Sequence, residues 1–211
     1  MVFYTSLDGL DPLFFESRLH LLPDEKQKWV EKTGNVKAKR ETTLAWLLLR
    51  YALKMGSSDR FLPLTFSERG KPCFEGGDVF FNLSHSGSMV CAAVSGKYET
   101  GVDVQKKSIF SERVKRRVFC ESEIERGERE NDSDSFFTRL WAIKESYLKQ
   151  TGVGIAFELK TLDYSAECME NYFEKEDLCY SVRQSGNYFF CVCTPEKGEQ
   201  EFRNIPAVSI I

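Results

Sequence analysis

Residues 79–96 read VFFNLSHSGSMVCAAVSG, and residues 101–105 read GVDVQ. The first segment has two apolar runs around a polar turn, which predicts a pair of strands. In the second segment the alternation places the two valines on the core face and directs Asp103 and Gln105 to the opposite face. Two oxygen donors on one strand face could hold Mg²⁺. An aspartate on a strand face is also common without any function.

The charge balance of the chain excludes some classes of function. The 211 residues carry a formal net charge of −3, from 29 basic and 32 acidic residues. Proteins that bind nucleic acid or anionic membranes usually have a basic excess, so neither partner is expected. The N-terminus has no basic segment followed by a long apolar run, and the seven cysteines form no CxxC pair. We therefore predict a cytoplasmic protein with reduced thiols.

The hydrophobic pattern predicts an α+β protein. An opening strand is expected at residues 2–7, and a long amphipathic helix should end at Gly56. Helical patterns return at 110–128 and 134–150, with the polar stretch 126–135 expected to be a surface loop. Later strands include a hairpin around SGN, residues 185–187.

The order of these elements suggests two similar lobes, each a small sheet packed on helices. Residues 1–100 are expected to form the N-terminal lobe, and residues 101–211 the C-terminal lobe. No sequence repeat supports a duplication. A chain that contains both lobes is expected to be a monomer.

Two polar segments of the first half could bind an anion. Residues 84–87, SHSG, are predicted to form a compact turn whose hydroxyl and backbone N–H groups suit a phosphate. An ordinary polar turn is the alternative. The second segment, ERGKP at 68–72, holds Lys71 in a glycine–proline turn. A basic set near the N-terminus could attract anions or form a solvated helix face: Lys26, Lys28, Lys37, Lys39 and Arg40.

One helix of the second half carries a carboxylate and an ammonium on one face. Residues 139–154 read RLWAIKESYLKQTGVG, and Trp141, Glu145 and Lys149 follow one another at intervals of four. Gly152 is a predicted helix stop. Glu145 could hold a metal or take a proton, while Lys149 could neutralise a phosphate. An exposed ion pair without function is the alternative.

The blocks GKP (70–72), FNLSHSG (81–87), GVDV (101–104) and WAIKESYLK (141–149), closed by GVG, occur in one order. This combination resembles the Sfp-type 4′-phosphopantetheinyl transferases, whose pattern is GKP, then (F/I)N(L/I)SHS, then G(I/V)D(I/V)E, then WxxKE(S/A)xxK. The resemblance covers residues 68–154. It implies a pseudo-dimeric fold with coenzyme A in the cleft between the lobes.

The resemblance also implies a reaction. Members of the family transfer the 4′-phosphopantetheine arm of coenzyme A to a serine of an apo acyl or peptidyl carrier protein, with Mg²⁺, and release 3′,5′-ADP. Catalysis should then consist of positioning and charge neutralisation around a diphosphate. The basic amphipathic segment IFSERVKRRVF, at residues 109–119, is a candidate contact for an acidic carrier, and an ordinary surface helix is the alternative.

Roles are carried over by motif position. Asp103 and Glu145 are expected to bind Mg²⁺, Glu145 also to act as the base, and Lys149 to neutralise the diphosphate. The resemblance further implies a set of coenzyme A contacts: Lys28, Lys39, Arg40, Thr42, Lys71, Pro72, Ser84, His85 and Lys149.

Gln105 departs from the family pattern, which has a glutamate at this position. An amide can offer Mg²⁺ its neutral oxygen, or leave that place to water, so weaker metal binding is expected. Two other functions stay open. One is a Mg²⁺-dependent nucleotide or phosphoester hydrolase that uses the same carboxylates. The other is an inactive homologue that binds coenzyme A or a carrier, for which Gln105 is the supporting feature.

Overall fold

The computed structural model describes residues 1–56, 61, 63–154 and 158–210. The fold is α+β, as predicted. The helices and strands of the first half are β1 (Val2–Ser6), α1 (Pro12–Glu16), α2 (Asp24–Lys32), α3 (Val36–Met55), β2 (Leu64–Phe66), β3 (Pro72–Phe74), β4 (Phe80–Ser86) and β5 (Met89–Ser95). Those of the second half are β6 (Gly101–Lys106), α4 (Glu112–Val118), α5 (Glu121–Arg129), α6 (Ser133–Thr151), β7 (Tyr172–Lys175), β8 (Leu178–Ser185), β9 (Tyr188–Thr194) and β10 (Phe202–Asn204).

The strands form two sheets of four and a short ribbon. The first sheet has the order β10–β1–β5–β4, the second sheet has the order β6–β9–β8–β7, and β2 pairs with β3 in the ribbon. The β4–β5 and β8–β9 pairs are antiparallel hairpins, which confirms both hairpin predictions. The helix predicted to stop at Gly56 is α3, and its Asn35 cap accepts the Ala38 N–H.

The two sheets pack face to face between two long helices. Side chains alternate along a strand, so Phe3 packs under α3 while Val2 and Tyr4 face the second sheet. Phe190 and Val192 of the second sheet meet them there. The other face of the second sheet packs against α6. The layers are therefore helix, sheet, sheet and helix, with each long helix covering its own sheet.

Two details differ from the sequence predictions. Ser84 and His85 lie within strand β4 rather than in a turn, and the turn follows at Gly87, whose φ is +60°. The expected loop at 126–135 is mostly helical, because α5 runs to Arg129 and α6 begins at Ser133. Asp132 caps α6 by accepting the Ser135 N–H. Polar composition alone did not reveal this cap.

The last strand of the chain pairs with the first. Strand β10 runs parallel to β1, with Val2 opposite Phe202 and Tyr4 opposite Asn204. Farther along the tail, Ile210 is buried in the core beneath α3. The division of the chain into two lobes at residue 100 stays a prediction. The last strand, β10, belongs to the first sheet.

A ladder of hydrogen bonds, donated by backbone N–H groups of β6 to side-chain oxygens of β4, joins the edges of the two sheets. Alternate amides of an edge strand point away from their own sheet and need other partners. The outward N–H groups of Val102, Val104 and Lys106 donate to Asn82 Oδ1 at 2.9 Å, Ser84 Oγ at 3.3 Å and Ser86 Oγ at 3.1 Å, respectively. We call these three bonds the β4–β6 ladder.

We expect Asn82→Ala to lower the free energy of unfolding by about 1–3 kcal/mol, because the buried Val102 N–H loses its acceptor. Urea denaturation followed by circular dichroism measures the loss. The matched control is Asn131→Ala, at an exposed asparagine between α5 and α6. Equal stability of the two variants would contradict a structural role for the ladder.

Candidate active site

A glycine allows α6 to lie directly against β6. A Cβ atom on Gly101 would come within 2.1 Å of the Ser146 carbonyl oxygen and 2.2 Å of the Gln150 nitrogen. Such distances are far shorter than any van der Waals contact, so only glycine permits this approach. The contact brings the polar face of β6 against the last turns of α6, which carry Glu145 and Lys149.

Asp103 is the centre of the polar cluster between β6 and α6. Its side chain is buried, and its Oδ1 accepts hydrogen bonds from Ser84 Oγ at 2.7 Å and Lys149 Nζ at 2.6 Å. Its Oδ2 accepts from Gln105 Nε2 at 2.8 Å. Val102 and Val104 on the opposite face are fully buried, as the alternation predicts. The structure therefore joins Asp103, Ser84 and Lys149 from three separate elements of the chain.

Glu145 lies one helical turn before Lys149 on α6 and is half-buried. Burial raises the pKa of the Glu145 carboxyl, and the negative charge of Asp103 raises it further, while Lys149 acts in the opposite direction. A carboxylate held near another carboxylate in a partly buried site favours a cation between them. The donor set of Asp103 and Glu145 is also of the hard oxygen type that Mg²⁺ prefers.

The Gln105 side chain donates its amide hydrogen to Asp103 Oδ2. A glutamate at this position would face Asp103 with a like charge, whereas the amide offers a hydrogen bond. A role of Gln105 as a metal ligand stays a prediction.

The residues of the first half that are predicted to contact coenzyme A lie at several different sites in the structure. His85 is exposed, and its Nδ1 lies 3.7 Å from Glu41 Oε1 on α3. Lys71 Nζ forms an ion pair with Glu99 Oε2 at 2.6 Å, and both residues line a cavity of about 120 Å³ together with Pro72.

Lys39 and Arg40 lie on a different face of α3 from Glu41, which meets His85. Both line a depression of about 450 Å³ between α1, α2 and α3, together with Phe15. The Arg40 guanidinium stacks on the Phe15 ring and donates to the Leu10 carbonyl. The structure does not bring these two cations together with His85. Thr42, the next position after Glu41, is partly buried.

Lys26 is a further candidate for a coenzyme A contact, which the sequence did not distinguish from the neighbouring lysines. Its Nζ lies 5.1 Å from the centre of the Trp46 ring and 5.6 Å from that of Phe66, and Phe66 pairs with Pro72. Burial lowers the pKa of this ammonium. Lys28, the predicted contact, is exposed on α2. The lysine that faces the β2–β3 ribbon is determined by how α2 is rotated about its axis, and the sequence alone does not give this rotation.

Lys144 precedes Glu145 but points into the core. Its Nζ forms a salt bridge with Glu123 Oε2 at 2.6 Å, and both side chains are fully buried. It also donates to the carbonyls of Val118, Leu159 and Leu162. Lys144 therefore ties α6 to α4 and to the turn that follows α6. Its ammonium also supplies the positive charge next to the nearby side-chain cluster of Cys120, Glu123 and Asp163.

Comparison with known proteins gives the class. A sequence model described as the 4′-phosphopantetheinyl transferase superfamily matches residues 99–193, which include Asp103, Glu145 and Lys149 but not Ser84. The chain belongs to the 4′-phosphopantetheinyl transferase family.

Three relatives illustrate the similarity. The 4′-phosphopantetheinyl transferase AcpT of Salmonella typhi is 31% identical over 72% of this chain and 76% of its own length. The 4′-phosphopantetheinyl transferase gsp of Aneurinibacillus migulanus is 30% identical over 74% of this chain and 66% of its own length. The 4′-phosphopantetheinyl transferase Sfp of Bacillus subtilis (strain 168) is 27% identical over 68% of this chain and 66% of its own length. The chain thus spans just under two thirds of the length of the last two.

We expect Lys144→Met to lower the free energy of unfolding by about 3–5 kcal/mol, because it leaves the buried Glu123 carboxylate without its cation. The double variant Lys144→Met/Glu123→Gln should recover part of that loss. Urea denaturation measures both. Arg129→Ala breaks the exposed pair with Glu125 and serves as the control, with a change within about 1 kcal/mol. If Lys144→Met loses as little free energy of unfolding as the control, Lys144 has no structural role.

Proposed function

We propose that this protein transfers the 4′-phosphopantetheine arm of coenzyme A to a serine of an apo acyl or peptidyl carrier protein, with Mg²⁺, and releases 3′,5′-ADP. The observation that carries the proposal is the cluster of Asp103, Glu145 and Lys149 where β6 meets α6. The names of the three relatives support the same reaction.

The chemistry places a different demand on each group. A bound Mg²⁺, held by Asp103 and Glu145, would neutralise charge on the coenzyme A diphosphate. The Glu145 carboxyl, whose pKa is raised by burial and by Asp103, is suited to accept the proton of the carrier serine. Lys149 is partly exposed and can turn its ammonium from Asp103 toward the diphosphate. Gln105 is an uncharged neighbour of this site, which donates a hydrogen bond to Asp103.

A phosphoester hydrolase is the second candidate and has less support. Such enzymes often use two metal ions. Over residues 1–56, 61, 63–154 and 158–210, the one group of three potential metal ligands is Cys120, Glu123 and Asp163. Its buried carboxylate is already paired with Lys144. An inactive homologue is the third candidate, supported by Gln105 alone.

The carrier is proposed to meet the surface of α4 and the segment before it. Ile109 is 84% exposed and Val114 is 39% exposed. Three exposed arginines lie near them in the sequence: Arg113, Arg116 and Arg117. Exposed apolar side chains among cations suit an acidic helical partner. We propose a monomer in the cytoplasm, without nucleic-acid or membrane partners. All seven cysteines are free. No helix among the described residues has the length and apolarity to cross a membrane.

The decisive experiment incubates the protein with coenzyme A, Mg²⁺ and a panel of apo acyl and peptidyl carrier proteins. We expect at least one carrier to gain the mass of one phosphopantetheine while 3′,5′-ADP appears. Phosphate release without a carrier would favour the hydrolase. Binding of coenzyme A without either product would favour the inactive homologue.

Asp103→Ala should lower kcat/KM for carrier modification by about a hundredfold or more, because one of two proposed metal carboxylates is gone. Gln105→Glu adds a third carboxylate and should lower the Mg²⁺ concentration needed for half-maximal rate. Rates across a Mg²⁺ series measure both effects. Near-normal activity of Asp103→Ala would reject the site, and an unaltered Mg²⁺ requirement in Gln105→Glu would place residue 105 outside the metal shell.

Lys26 and Lys28 form a matched pair for the coenzyme A contact. We expect Lys26→Ala to raise the KM for coenzyme A by about tenfold, because this half-buried cation faces Phe66 beside Pro72. Lys28→Ala should change the KM less than about twofold, since Lys28 is exposed on α2. A larger effect at Lys28 would restore the original prediction and reject Lys26.

A further inference from the structure

Residues 107–111 join β6 to α4 and lie at the edge of the proposed carrier surface. Ile109, in the middle of this segment, is 84% exposed. Immediately before it, the backbone is bonded to α6, because the Ser108 N–H donates to Thr138 Oγ1 at 3.2 Å. Thr138 is fully buried. It therefore has no surface to offer a carrier protein, and any influence of Thr138 on docking passes through the segment that it holds.

A second attachment follows Ile109 in the segment. The Phe110 ring packs on α6, with its centroid 6.1 Å from that of Trp141, and on the end of α4, with its centroid 5.7 Å from that of Phe119. Positions 108 and 110 thus contact α6 while position 109 faces the solvent, which is the alternation of an extended chain. The exposure of Ile109 is a result of these two attachments on either side of it.

The face of α6 that holds the segment also carries a proposed catalytic group. Thr138 and Glu145 are seven residues apart, which is close to two full turns, so they lie on one side of the helix about 10 Å from each other. The Thr138 hydroxyl donates its own hydrogen to the Asp134 carbonyl at 2.7 Å. Neither bond of Thr138 involves the Asp103 cluster, so both persist when metal and diphosphate bind there.

We propose that Thr138 is a positioning residue for the carrier protein. It fixes residues 107–111 on the same rigid helix that carries Glu145, and so sets the distance between a docked carrier and the reacting centre. A segment that is free to shift must be ordered each time a carrier docks, which weakens docking. This inference rests on the proposed transferase function and on the proposed carrier surface.

The chain offers a conservative variant and a matched control. Thr138→Val retains the shape of the side chain and removes the acceptor of the Ser108 N–H, whereas Thr138→Ser retains the hydroxyl. Thr151 lies near the other end of α6 and donates to the Tyr147 carbonyl at 2.9 Å, as Thr138 does to the carbonyl four residues before it. Thr151→Val therefore removes the same helical bond far from the segment. Urea denaturation verifies that each variant is folded.

The test uses the apo carrier protein that the wild type modifies fastest. We expect Thr138→Val to raise the KM for this carrier by about fivefold or more and to leave the Kd of coenzyme A within about twofold. Amide hydrogen exchange at Ser108 should become about tenfold faster, since its N–H has lost its acceptor. Thr138→Ser should recover most of both losses, and Thr151→Val should match the wild type in all three measurements.

A double-mutant cycle shows whether Thr138 acts through Ile109. We expect Ile109→Ala alone to raise the KM for the carrier, because it truncates the exposed contact. Adding Thr138→Val to Ile109→Ala should raise that KM less than about twofold further, since the side chain that Thr138 positions is already gone. Fully additive effects would show that the two residues act independently and would overturn the proposal.

Three other outcomes also overturn it. An unaltered carrier KM in Thr138→Val, despite faster exchange at Ser108, would show that docking does not need a fixed segment. A coenzyme A Kd raised about fivefold would place the effect of Thr138 in the cleft. Equal losses in Thr151→Val would reduce the role of Thr138 to helix stability. If the wild type modifies no carrier, the transferase proposal fails together with this role, and protected exchange at Ser108 then locates the failure in the function and not in the attachment.

Discussion

The β4–β6 ladder is the interaction on which the site depends. An edge strand needs acceptors for its outward amides, and here the acceptors are side chains of a strand from the other sheet. Because Asn82, Ser84 and Ser86 recur at every second residue, they all face β6. This fixes the register between the sheets. It also sets Ser84 beside Asp103, so one hydroxyl serves both the assembly of the fold and the polar cluster.

Much of this arrangement could be predicted from the sequence. The alternation of GVDVQ correctly separated the core valines from Asp103, and the spacing of α6 correctly put Glu145 and Lys149 on one face. Period and spacing are local properties, so a sequence reports them directly. The choice of Lys28 stays a prediction, because it depends on which face of α2 meets the β2–β3 ribbon. That choice is made by tertiary packing, which the composition of a basic stretch does not encode.

The departure from the family pattern at Gln105 changes the electrostatics of the cluster. Asp103 and Glu145 bring two acidic groups into a poorly solvated space, and Lys149 compensates one of them. Gln105 adds a hydrogen-bond donor without a further negative charge. The protein without ligand is thus less strained by like charges than one with three acids would be. In return, we expect a weaker attraction for a divalent cation.

The parallel pairing of β1 with β10 has a consequence for how the chain folds. The partners Val2 and Phe202 are among the most distant residues of the sequence, yet they lie side by side in the first sheet. Closing so long a loop is slow, because its entropy is lost before the contact forms. During synthesis, β1 can pair with β5 early, but its other edge stays open until residue 204 has left the ribosome. Until then, that edge of β1 is unpaired and open to wrong pairing with another strand.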